Sequence, residues 1–201
     1  MLGSINPLGE RGRRSNWAVT VTAFLVGSVV AGSAVGLVLG RLGAFLVGGA
    51  SPILRAAITA ALVLAGAAWD VALARRRASR LPGPRRQVNE DWLASYRGWV
   101  YGLAFGVQLG LGIATIVTTS AVYAALAGAF LTASVRGGLV VGAAFGLARA
   151  LPLLAGRRIR HPRDLLRLDG LLRRWDRPAR GAAIALQAIL GTAALAVLVL
   201  R

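Results

Sequence analysis

Residues 99–131 read WVYGLAFGVQLGLGIATIVTTSAVYAALAGAFL, 33 positions without a charged side chain. As a helix such a run is about 50 Å long, whereas a bilayer's hydrocarbon core is about 30 Å thick. A membrane-spanning element is expected here, too long to cross as one straight helix. A break is expected between Gly110 and Ser120.

Outward from this run lie four more apolar blocks, at 17–50, 56–74, 137–156 and 181–200. About 20 residues suffice to cross a bilayer, so the last three are single spans and the first is again over-long. The 24 basic residues, all arginine, face only 7 acidic ones, for a net charge of +17. In a soluble protein that charge would suggest nucleic acid; here 56% of residues are hydrophobic and the arginines crowd between the apolar blocks. Residues 10–16 carry three arginines, 51–55 one, 75–97 seven, 132–136 one and 157–180 nine. Cytoplasmic loops hold positive charge and short exported loops do not. The alternation predicts one crossing per block, in an all-α polytopic membrane protein of five transmembrane helices within a single membrane domain. Loops 75–97 and 157–180 and the N-terminus are expected in the cytoplasm, the C-terminus outside, and the location in the plasma (inner) membrane. The two long blocks are expected to be kinked or broken. A secretory signal at 11–34 is the rival reading, but the run stays apolar beyond the 7–15 residues of such a core.

Between the spans, Leu81-Pro-Gly-Pro84 forces a turn, because proline lacks a donor and restricts its predecessor. Asn89, Glu90 and Asp91 supply a helix start, and Trp92, Tyr96, Trp99 and Tyr101 an interfacial aromatic belt. At 162–174, Leu165, Leu166, Leu168, Leu171 and Leu172 alternate with Arg163, Arg167, Arg173 and Arg174. This predicts an amphipathic helix on the inner leaflet, where anionic lipid attracts each arginine by about 1 kcal/mol. The expected partners are therefore a bilayer with anionic lipids and a membrane subunit or second copy, without nucleic acid. His161, the single histidine, reads as a solvated loop residue.

Glycine recurs at every fourth position in three blocks: Gly32, Gly36, Gly40; Gly102, Gly106, Gly110; Gly138, Gly142, Gly146. Such stripes let helix backbones approach closely in lipid, where no hydrophobic drive joins helices. In the 99–131 block Gln108, Gly112, Thr115 and Thr119 fall along one helical face. Threonine hydroxyls can bond their own backbone carbonyls, whereas a primary amide in lipid must find partners. Asp70, five residues before Arg75, and Arg149, eight before Arg157, are ionisable groups inside spans. Intramembrane charges usually mark a pathway or a pair. An Asp70–Arg149 pair and separate snorkelling to the interface both fit. Arg41 marks a break or the outer end of the first block.

The stretch from Gly102 through Phe105, Gly106 and Gly112 to Arg136, followed by Gly142-Ala-Ala-Phe-Gly146 and Leu151-Pro152, resembles two consecutive helices of the CcdA/DsbD transmembrane family, within the LysE-like transporter group. That resemblance implies a helical membrane fold and, in the family, transfer of reducing equivalents by paired cysteines next to proline. Here residues 113–118 read Ile-Ala-Thr-Ile-Val-Thr, and the chain has no cysteine. Thiol–disulfide exchange needs an attacking thiolate, so this chain alone cannot perform it. The resemblance further implies an internal duplication. A shift of 81 residues superposes Ala23-Phe24 on Ala104-Phe105, Arg55 on Arg136, and Arg76-Arg77 on Arg157-Arg158.

No metal-ligand cluster, nucleophile–base pair or phosphate loop is visible, so neither an enzyme nor a cofactor or metal site is expected. The leading expectation is a small-solute or ion transporter without thiol chemistry, with Gln108, Thr115 and Thr119 lining a path and Asp70 and Arg149 at its cytoplasmic end. The alternative is a non-catalytic accessory or assembly subunit of a membrane complex.

Overall fold

In the computed structural model, residues 5–75, 96–112 and 119–199 are described, and among them all regular structure is helical. The helices are α1 (Pro7–Gly12), α2 (Trp17–Val47), α3 (Pro52–Arg75), α4 (Gly98–Gly110), α5 (Ala121–Leu131), α6 (Val135–Ala150) and α7 (Pro162–Val199), with a 3-10 segment at Leu151–Arg158. Four helical segments among the described residues are long and apolar enough to cross a membrane, and α5 is a shorter apolar helix. The chain packs as two compact units, one of Met1–Gly32, Pro84–Thr115 and Ala143–Asp176, the other of Ser33–Gly83, Ile116–Gly142 and Arg177–Arg201.

The two long blocks differ. α2 is one continuous helix of 31 residues, so the expected break is missing from the first block. In the third block α4 stops at Gly110, Gly112 takes φ 74°, and α5 starts only at Ala121. The shift of 81 that aligns the blocks sets Ala31 against Gly112. A left-handed backbone costs an L-residue roughly 1–2 kcal/mol and glycine almost nothing. Alanine therefore lets α2 continue where glycine lets the third block turn.

Two further boundaries depart from expectation. The span at 137–156 leaves α-helical geometry at Ala150 and tightens to 3-10 through Pro152. The amphipathic stretch is no separate helix: α7 runs for 38 residues from Pro162, through Pro178, into the last apolar block. Leu166, Leu171 and Trp175 on its first part are exposed within the chain.

In the first unit the buried side chains of Ile5, Val21, Phe24, Tyr101, Phe105, Ala150 and Leu153 form one cluster. Phe24 and Phe105, which the 81-residue shift matches, thus share a core. Backbones touch closely around it: a Cβ on Gly102, Gly106 or Gly110 would run into the main chain of Thr20, Phe24 or Ser28, and one on Gly146 into Ser28. Ser28 Oγ also donates to the Gly146 carbonyl at 2.8 Å. In the second unit Gly36 and Gly40 meet Gly138 and Ser134 in the same way, and Gly142 is buried, as is Gly32 in the first unit. Arg55 Nη1 donates to the Thr132 carbonyl at 3.2 Å, tying the two arginine-poor links together.

Candidate functional site

Ending α4 before Ser120 exposes backbone donors at the start of α5, and in an apolar setting such groups must be satisfied by protein. Asp70, on α3 and only 8% exposed, supplies the acceptor. Its Oδ1 accepts from Ser120 N at 3.0 Å, and its Oδ2 from Thr119 Oγ1 at 2.8 Å, Ser120 Oγ at 2.9 Å and Gln187 Nε2 at 3.3 Å. Thr119 Oγ1 accepts in turn from Ala121 N at 3.3 Å, extending the chain of bonds into α5. A carboxylate at a helix N-terminus is also favoured by the helix dipole. Ser120 Oγ lies 3.1 Å from Gln187 Oε1 on α7, and both residues are buried.

Space for the cluster comes from Gly66, one helical turn before Asp70 on the same face of α3. A Cβ there would lie 2.8 Å from Ser120 Oγ and 3.4 Å from Gln187 Oε1. Asp70 is five residues from Arg75 and Gln187 seven from Arg180, which sets the cluster about 8–10 Å along the helices from the arginine-bearing ends.

The structure brings together only part of the expected set. Asp70 and Thr119 meet; Thr115 lies outside the described residues; Gln108 is partly buried on α4. The single helical face meant to join Gln108 to Thr119 is not built, because α4 ends at Gly110. Asp70 bonds Thr119, Ser120 and Gln187, and the Arg149 guanidinium lies 5.4 Å from the centre of the Phe145 ring. Gln187 escaped notice although the reasoning applied to Gln108, that an amide in an apolar block needs partners, applies to it equally.

A second network also went unforeseen. Glu10, fully buried, accepts from Arg13 Nη2 at 2.6 Å and Thr20 Oγ1 at 2.8 Å, and from the Tyr101 hydroxyl. Arg13 lies 5.7 Å over the Tyr101 ring. The signal was an acidic residue alone among Arg11, Arg13 and Arg14. This network fastens α1 to α2 and α4 and leaves no carboxylate oxygen of Glu10 without a donor.

Long apolar helices, a glycine-lined core and an intramembrane carboxylate capping a broken span define a multi-pass helical membrane protein. The chain belongs to the cytochrome c biogenesis protein transmembrane region family, whose model matches residues 2–198. It is similar to the methylamine utilization protein MauF of Methylorubrum extorquens, 32% identical over 154 residues, which is 74% of this chain and 52% of that protein. It is likewise similar to MauF of Methylophilus methylotrophus, 34% identical over 155 residues, 75% of this chain and 53% of that protein. The chain thus spans about half the length of the curated relatives it matches. No solved structure matches it.

Proposed function

We propose that the protein is a non-catalytic accessory subunit that assists the assembly of a partner at the plasma membrane, with its N-terminus in the cytoplasm and its C-terminus outside. The observation that carries this reading is the absence of cysteine from a chain of this family. Without a thiolate the chain cannot relay electrons through its own residues; what it retains is a packed helical body. The family description speaks of biogenesis, and the relatives are described as methylamine utilization proteins, names that support a service to another protein more than carriage of a particular solute. Only 11% of the most apolar 18-residue stretch of α3, and of α7, is buried within the chain, leaving faces for lipid, a partner subunit or a second copy.

Deletion of the gene tests the reading. The expected result is reduced accumulation of a mature extracytoplasmic protein, measured by quantitative proteomics at unchanged transcript level and restored by complementation. An unchanged extracytoplasmic proteome overturns it.

One observation favours the transport reading. Ser120 Oγ has a single proton, yet acceptor oxygens of Asp70 and Gln187 lie 2.9 and 3.1 Å from it. Turning the Gln187 amide over does not cure the shortage, because its oxygen would then face Asp70 Oδ2 across 3.3 Å. One added proton would give every contact a donor, as in a proton-carrying site. Proteoliposomes with an imposed pH gradient decide: dissipation lost in Asp70→Asn supports conduction, and dissipation equal to empty vesicles dismisses it.

A further inference from the structure

Where α1 turns into α2, a cavity of about 660 Å³ opens beside the start of α4, lined among others by Arg13, Arg14, Asn16, Tyr96, Arg97 and Trp99. Among the described residues no carboxylate lines it. Glu10, which bonds Arg13 of the lining, is consumed by Arg13, Thr20 and Tyr101. Arg13 is therefore neutralised and held in place, while Arg14 and Arg97, both exposed, give the cavity a net positive lining.

Depth and shape narrow the ligand. The cavity lies at the first turns of α2 and α4, where the apolar runs begin and where Trp99 and Tyr96 stand as half-exposed aromatics. Tryptophan and tyrosine prefer the headgroup level of a bilayer, so this cavity sits at the depth of lipid phosphates. Guanidinium groups bind phosphate by paired N–H bonds, and basic pockets between membrane helices take anionic headgroups. A volume of about 660 Å³ lies within the range of small-molecule sites, roughly 300–1,000 Å³. Arg14 also stands at φ 54°, a left-handed conformation in which asparagine or glycine would be less strained. A side chain held at that cost points to use of its charge.

We infer that this cavity is a binding site for the phosphate headgroup of an anionic phospholipid, clasped by Arg14 and Arg97 with Tyr96 and Trp99 beside it. Binding there links the α1–α2 turn to the start of α4 and stabilises the first unit.

The test uses the full chain in zwitterionic detergent with added phosphatidylglycerol or phosphatidylcholine, read by thermal melting and by lipid retention in native mass spectrometry. The wild type is expected to gain thermal stability and retain lipid with phosphatidylglycerol alone. At about 1 kcal/mol per arginine, Arg14→Gln with Arg97→Gln should weaken phosphatidylglycerol binding about thirtyfold. Arg41→Gln with Arg136→Gln, at exposed positions outside the cavity lining, should leave it within about threefold. Arg14→Lys with Arg97→Lys keeps the charge and should bind with intermediate strength; it replaces the glutamine pair if that variant fails to fold. Equal binding by wild type and the Arg14, Arg97 variants overturns the inference. So does a stabilisation reproduced by inorganic phosphate alone, which would make the cavity a free-anion site.

Discussion

Asp70 illustrates how one residue serves two accounts of the same protein. Its carboxylate completes the N-terminus of a helix that begins inside an apolar region, and this structural duty alone justifies an acid there. Asp70→Ala strips acceptors from Ser120, Thr119 and Gln187 together, and should destabilise the protein by about 1–3 kcal/mol, the cost of leaving buried donors unmade. Asp70→Asn keeps one acceptor oxygen and should lose less. Melting of both variants in detergent checks the order, and equal stability of all three forms would remove the capping role. Gln187→Leu should cost less than Asp70→Ala, since one amide is removed and its neighbours keep Asp70. Gln187 and Ser120 were identifiable as polar residues in apolar blocks; that they converge on Asp70 was not, because their separations of 50 to 117 residues along the chain carry no spatial information.

At the scale of elements, Gly112 decides where the third block turns. Gly112→Ala forces a left-handed alanine and should cost about 1–2 kcal/mol, whereas Ala31→Gly in continuous α2 should cost about 1 kcal/mol through helix propensity. Thermal denaturation of the two variants measures the difference, and a neutral Gly112→Ala would show that the break does not depend on this residue. The start of α7 offers a pH test outside its apolar part. Backbone N–H groups of Arg160 and His161 donate to Asp164 at 3.0 and 2.9 Å and hold its carboxyl below the usual carboxylate range. A depressed acid stabilises fully above its unfolded value, about 3.9, and that contribution vanishes as pH falls through its folded value. Protection factors of the 160 and 161 amides should therefore drop as the pH falls below about 4, and Asp164→Asn should remove the dependence.

For the whole molecule the decisive quantity is how closely backbones meet. Gly36→Val and Gly106→Val each drive a side chain into a facing carbonyl, and each should cost about 1–3 kcal/mol or more by overpacking. Gly170→Val, with open space around it, is the control and should be tolerated. Orientation is testable separately: a reporter active only outside the cytoplasm should be silent when inserted at Asp169 and active after Arg201. The reverse pattern would invert the topology.

Membrane residence and helical class were legible from apolar run length, because the bilayer acts on every residue according to its own hydrophobicity. The family was legible from its glycine and phenylalanine pattern, and the missing cysteine bounded the chemistry before any geometry was known. Tertiary structure alone decided that α2 runs unbroken, that α7 continues through Pro178, and that Asp70 joins Ser120 and Gln187. These outcomes depend on how elements pack and which distant polar groups find each other, quantities that arise between elements and that no local pattern encodes.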